Sequence, residues 1–127
     1  MDISGYVMKK KNKVYLVKET NSLWEDTVNI KVYGKKIYAY KYFESSVYRY
    51  LKSLNDQLKE KTTKDKESYK KGIKINNNYD LKEGYREALD TGYFMLYIRS
   101  SNTLITVSMD EMVIGGKKEL KEDIKSW

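Results

Sequence analysis

From Tyr93 to Met109 the side chains alternate with a period of two, and no other feature restricts the fold more tightly. Phe94, Leu96 and Ile98, then Ile105, Val107 and Met109, fall on one face of a strand pair. Tyr93, Met95, Tyr97 and Arg99, then Leu104, Thr106 and Ser108, fall on the other. Successive strand side chains point to opposite faces, so this segregation specifies a hairpin with one buried face. Ser101-Asn102 is the expected turn, because Asn tolerates left-handed backbone. That register sets Arg99 opposite Leu104 and Tyr97 opposite Thr106.

Thr27–Phe43 reads the same way. Val28, Ile30 and Val32 alternate with Asn29, Lys31 and Tyr33; after Gly34-Lys35, Ile37, Ala39, Lys41 and Phe43 alternate with Tyr38, Tyr40 and Tyr42. Gly at the first loop position suits a two-residue type II′ turn. The expected hairpin buries Val28, Ile30, Val32, Ile37, Ala39 and Phe43. Its other face gathers Asn29, Lys31, Tyr33, Lys36, Tyr38, Tyr40 and Tyr42, with Tyr33 opposite Lys36, Lys31 opposite Tyr38 and Asn29 opposite Tyr40. A third hairpin is expected over Tyr6–Lys18, turning at Lys11-Asn12, with its register left open.

Helical spacing appears in three places. Val47, Leu51, Leu54 and Leu58 form a stripe over Ser46–Lys59, with Ser45 or Ser46 as cap. Over Asp80–Thr91, Asp80 and Glu83 imitate a capping box, Leu81, Tyr85, Ala88 and Leu89 make the stripe, and Gly92 ends it. Leu120, Ile124 and Trp127 repeat over Lys117–Trp127, after Gly115-Gly116. Between the first two lies Glu60–Tyr79, rich in Lys, Asn and Thr, expected as a long loop or a solvated continuation of the first helix.

Strands, helix, loop, helix, strands, helix is the order of an α+β fold. The expectation is an antiparallel sheet built from two or three hairpins, with two or three helices on its aliphatic face. The 127 residues suit one domain, with a basic arm at about 60–79. No apolar run is long enough to span a membrane, and the N-terminal segment lacks the apolar stretch of a secretion signal. A cytoplasmic protein without membrane contact is expected.

Composition removes several chemistries. There is no Cys and no His, which excludes disulfides, thiolate nucleophiles, Cys-ligated zinc and the Ser–His–Asp triad. No glycine-rich strand–loop–helix element offers a Rossmann or P-loop site. Among the acids, Asp110-Glu111 follows a strand, Glu83, Glu87 and Asp90 share a helix, and Glu119-Leu120-Lys121 has a nuclease spelling without an upstream partner. Ion pairs with Lys82 and Arg86 account for the helical set more simply than a Mg²⁺ centre does. The protein is therefore expected to bind rather than catalyse, with no metal and no cofactor.

Charge and tyrosine indicate what it binds. The net charge is +7, carried by 22 lysines and three arginines, and residues 1–60 and 61–79 hold net +5 and +4 against −2 for the remainder. Such a field attracts polyanions. The chain has thirteen tyrosines, and those that interleave with lysine on the first hairpin are expected to form a face on which bases can stack while ammonium groups hold phosphates. The candidate ligand-binding residues are Asn29, Lys31, Tyr33, Lys36, Tyr38, Tyr40 and Tyr42 on the first hairpin, with Tyr97 and Arg99 on the second. The ligand class is nucleic acid or nucleotide. Codon bias and strand propensity account for the same tyrosines without any ligand. A second function class fits the size and composition: a phage or mobile-element inhibitor contacting a host protein of a nucleoprotein or defence system. The tyrosine face also suits a homodimer.

Overall fold

The computed structural model describes residues 12–21 and 27–114. Among them are five strands and three helices: β1 (Asn12–Asn21), β2 (Thr27–Tyr33), α1 (Lys36–Lys59), α2 (Thr63–Lys71), β3 (Ile73–Ile75), α3 (Leu81–Thr91), β4 (Tyr93–Ile98) and β5 (Thr103–Ile114). The strands form one antiparallel sheet in the order β2-β1-β5-β4-β3. This is an α+β fold. No helix among the described residues is long and apolar enough to cross a membrane. The expected helix over Lys117–Trp127 lies outside the described residues, as does the first half of the expected Tyr6–Lys18 hairpin.

The β4–β5 hairpin forms with a longer turn than the sequence suggested. Tyr97 lies opposite Leu104 and Ile98 opposite Thr103, so the loop is Arg99–Asn102 rather than Ser101-Asn102. Asn102 is left-handed, with φ 50°, and its N–H donates to the Arg99 carbonyl at 3.2 Å. The register moves by two residues, and an even shift leaves every side chain on its expected face. Phe94, Leu96 and Val107 are accordingly buried.

The Thr27–Phe43 hairpin does not form. β2 pairs with β1, Val17 opposite Lys31 and Glu19 opposite Asn29, while Lys36 to Phe43 opens a 24-residue helix. Ala39 and Phe43 extend the Val47–Leu54–Leu58 stripe toward the N-terminus, and all five are buried in one cluster with Val17, Phe94 and Val107. Burying that stripe outweighs strand propensity at Ile37, Tyr38 and Tyr40, since fully burying a large apolar side chain contributes roughly 1.5–3 kcal/mol. The expected faces of β2 are also exchanged. Ile30 and Val32 are 51% and 59% exposed, while Tyr33 packs against the core. The cause is register: pairing with β1 puts Asn29, Lys31 and Tyr33 on the face that carries the buried Val17 and Glu19. Asn12–Asn21, expected in part as the Lys11-Asn12 turn, is one continuous strand between β2 and β5.

Residues 60–79, expected as a loop or helical extension, hold α2, β3 and a tight turn. Thr62 caps α2 by accepting from Asp65 N–H at 3.3 Å, and Asp65 near its start with Lys70 and Lys71 at its end complement the helix dipole. Asn76 and Asn77 both have positive φ, 48° and 65°, in a two-residue turn closed by Ile75 and Asn78. The Asn76 amide then extends the ladder to β4. Its nitrogen donates to the Tyr93 carbonyl at 2.7 Å and its oxygen accepts from Met95 N–H at 2.7 Å. α3 has the expected limits: Asp80 accepts from the N–H groups of Lys82 and Glu83, and Gly92 closes the helix at φ 73°.

Candidate functional site

The residues expected to form one tyrosine–lysine platform are dispersed. Asn29, Tyr33 and Tyr42 meet where β2 faces α1. The Tyr33 and Tyr42 rings lie 5.9 Å apart, and Asn29 Nδ2 donates to Tyr42 Oη at 3.3 Å and to Glu19 Oε2 at 3.2 Å. Lys31, Lys36 and Tyr38 are exposed. Tyr40 turns the other way and donates to the Leu89 carbonyl at 3.4 Å, tying α1 to α3. Tyr97 lies on the sheet face opposite the core, donating to Asn102 Oδ1 at 3.5 Å. Arg99 begins the turn that also holds Asn102, its carbonyl accepting from Asn102 N–H at 3.2 Å. The flat stacking surface therefore has no counterpart, because half of its residues are helical.

Glu19 anchors the first group. It is a carboxylate only 6% exposed, on the core face of β1, and Arg49 Nη2 of α1 donates to its Oε1 at 2.9 Å. With Asn29 on the other oxygen, the buried charge has a partner at each end, as a buried carboxylate requires. The Arg49 guanidinium also lies 5.3 Å from the Tyr50 ring centroid. Burial acts against the Arg49 charge, but Glu19, Tyr50 and Tyr42 outweigh it and hold the guanidinium more firmly protonated than usual. Burial first, and then the Glu19 charge, push the Tyr50 phenol above its ordinary range, with Arg49 pulling weakly back. The network fixes Tyr50 as a neutral ring on the wall of a cleft.

That cleft is the candidate site, and α2 builds it. α2 ends at Gly72, which approaches β4 so closely that a Cβ there would sit 2.9 Å from Arg99 Cβ. Arg99 N–H donates to the Gly72 carbonyl at 2.8 Å. This contact brings Tyr69 and Lys71 of α2 beside Arg99 and Ser100 of the β4–β5 turn. Two hollows result, both bordered by Tyr69 and Ser100. The first, of ≈ 470 Å³, is lined also by Ser68, Lys71, Gly72 and Arg99. The second, of ≈ 550 Å³, lies on the helical side of the sheet, with Ile98, Thr103 and Ile105 from the strands and Tyr50, Ser53 and Gln57 from α1. Lys61 also lines it. The Tyr69 hydroxyl donates to Gln57 Oε1 at 3.3 Å and Lys61 Nζ lies 4.5 Å from the Tyr69 ring centroid, so the ring is held from two sides.

The charge in this cleft has one sign. Among the described residues Lys61, Lys71 and Arg99 line it, and no acidic residue does. The ion pairs among the described residues are Lys13–Glu111, Arg49–Glu19 and Arg86–Glu83, none of which engages those three cations. A cavity with cations, hydroxyls and aromatic walls can accept an anion that carries further polar and apolar parts. The opposite case is a hollow of ≈ 360 Å³ on α3, where Glu83, Glu87 and Asp90 border Arg86 and Asn78. There Glu83 pairs with Arg86 and Glu87 accepts from Asn78 at 2.8 Å. Among the described residues no group of three or more acids is placed to hold a metal ion.

Of the nine candidate ligand-binding residues, Arg99 alone lines this cleft. Tyr50, Ser53, Tyr69, Lys71 and Ser100 were not singled out. The charge run over 60–79 was the available signal, but the register that docks Gly72 on Arg99 has no sequence signature. Comparison with known protein families, characterised proteins and solved structures returned no match.

Proposed function

We propose that this chain is a non-enzymatic binding protein for a phosphate-bearing ligand, nucleic acid or nucleotide, held in the cleft around Tyr69. The observation that carries the reading is that Lys61, Lys71 and Arg99 line two adjoining hollows in which the described residues place no carboxylate. Arg99 offers a planar fork suited to two phosphate oxygens, and Lys71 adds a point charge beside it. Ser68 and Ser100 supply hydroxyl donors from the same walls. The ligand class is the one the basic charge and tyrosine content suggest, but the binding surface is a cleft between α2 and the β4–β5 turn rather than a strand face.

Fluorescence anisotropy with labelled single-stranded oligonucleotides tests this reading across a salt series. Affinity is expected to fall with salt, with a log–log slope of about −0.7 per phosphate neutralised. The double variant Lys71→Ala, Arg99→Ala should lose binding and shed about two contacts' worth of that slope. Unchanged affinity in the double variant refutes the cleft as the site.

A second reading, contact with a protein partner, draws on different residues. Ile30 and Val32 on the edge strand β2, with Ile37 and Tyr38 in the first turn of α1, expose apolar surface near one end of the sheet. β2 is the edge of the sheet among the described strands, and exposed apolar groups beside a sheet edge favour association. Ile30→Lys, Val32→Lys would abolish such a contact while leaving oligonucleotide affinity intact.

A further inference from the structure

The two hollows differ in chemistry, and the difference narrows the ligand. The first holds Lys71, Arg99, Ser68 and Ser100, which is a complement for a phosphate group and little else. The second has an apolar floor of Ile98 and Ile105, each mostly buried, and aromatic walls from Tyr50 and Tyr69. Ser53, Gln57 and Thr103 place hydroxyl and amide groups around that floor. A flat heteroaromatic ring suits such a space, because its faces meet apolar and aromatic surface while its edge nitrogens and oxygens meet polar groups. Tyr69 and Ser100 belong to both linings, so a ligand passing from one hollow to the other crosses at those two residues. Volumes of ≈ 470 and ≈ 550 Å³ are each of small-molecule size.

We infer that the cleft takes a single mononucleotide, its phosphate between Lys71 and Arg99 and its base in the hollow between Tyr50 and Tyr69. This inference rests on the reading that the cleft binds a phosphate-bearing ligand, and it commits that reading to a monomer rather than a polymer. Tyr50 is suited to the task because Glu19 and Arg49 fix it from behind, so the wall is formed before a ligand arrives. Lys61, already against the Tyr69 ring, places a positive charge at the mouth of the base hollow.

Calorimetric titration of the full chain at ~150 mM salt, with inorganic phosphate, the four ribonucleoside monophosphates and a single-stranded oligonucleotide, tests the inference. At least one mononucleotide should bind about fivefold or more tightly than inorganic phosphate, the low end of what one stacked base contributes. Ser53→Phe places a ring in the base hollow from an exposed position on α1. It should bring the mononucleotide down to the affinity of phosphate without changing phosphate itself. Mononucleotides that bind no better than phosphate, or an advantage that survives Ser53→Phe, overturn the inference. If the oligonucleotide still binds and responds to Lys71→Ala, Arg99→Ala, the broader reading stands while the monomer is wrong. Silence from phosphate, mononucleotides and oligonucleotide alike removes both.

Discussion

Replacing Gly84 with Ala tests whether α3 is held against β3 by close approach. Gly84 is buried in the middle of α3, and a Cβ built on it would lie 2.6 Å from Ile75 Cβ and 2.9 Å from Ile75 Cγ2, with the Ile75 carbonyl oxygen nearer still. Carbon atoms in contact prefer about 3.5–4.0 Å, so the helix and strand would have to part by roughly 1 Å. Ile75 has no room to yield: it is fully buried, and its backbone is bonded to both Asn78 and β4. Overpacking of this kind costs about 1–3 kcal/mol. Ala is the better helix former by about 1 kcal/mol, which offsets part of that loss. A net destabilisation of about 1–2 kcal/mol is expected, at the upper end because the clash is with backbone as well as side chain. Urea unfolding followed by far-ultraviolet circular dichroism should show a lower midpoint at unchanged slope. Gly34→Ala is the control, since nothing lies within 4 Å of a Cβ there; it should be neutral or slightly stabilising. A Gly84→Ala protein more stable than the parent by about 1 kcal/mol would refute the reasoning, because helix propensity would then be acting without any clash to oppose it.

Three further outcomes follow from the same structure. Asn76→Ala removes two hydrogen bonds to β4 and a residue tolerant of positive φ; a loss of about 1–3 kcal/mol in chemical denaturation is expected, and Asn76→Gly should recover only the backbone part. Ser46 is buried in α1 with its hydroxyl unpartnered among the described residues, so Ser46→Ala should raise the unfolding midpoint, by about 0.5–1 kcal/mol; a lower midpoint would reveal a hidden partner. Burial, with Glu44 and Asp90, raises the Tyr40 phenol as burial and Glu19 raise Tyr50. The folded chain therefore keeps these protons longer than the unfolded chain. Stability should be flat with respect to both groups below about pH 9 and fall as the unfolded phenols ionise near about pH 10. The double variant Tyr40→Phe, Tyr50→Phe should flatten that fall, and an undiminished slope would assign it to other groups.

The sequence was most legible where one pattern excluded the others. Asp80 and Gly92 bracket α3 with cap chemistry that nothing else explains, and both limits hold. The β4–β5 faces were legible too, and a two-residue error in turn length left them intact. Residues 37–43 illustrate the failure. Ala39 and Phe43 are four apart, a spacing that shares a face in a strand and in a helix alike, so alternation there could not distinguish the two. The usual helix-start signal is also missing, because Lys35 makes no side-chain cap. Ser46, a natural candidate for that cap, is buried inside the helix instead. On β2 the alternation was real but its inward face was misassigned, since Glu19 of a neighbouring strand determines where Asn29 belongs. The cleft was hardest to foresee, because its cations come from α2, the residues just before it and a turn, brought together by the Gly72–Arg99 contact.

The strand order has a consequence for how the chain is made. β1 emerges early but takes its second neighbour from β5, and the hydroxyls of Thr20 and Thr106, 86 residues apart, meet across that seam. The turn between β4 and β5 supplies Arg99 and Ser100 to the first hollow, and the two strands supply Ile98, Thr103 and Ile105 to the second, so both depend on chain made long after β1. Contacts this distant along the chain make for slow folding. β5, the last strand among the described residues, lies at the centre of the sheet between the β2–β1 pair and the β4–β3 pair, so the strand that joins the two halves also supplies Thr103 and Ile105 to the second hollow.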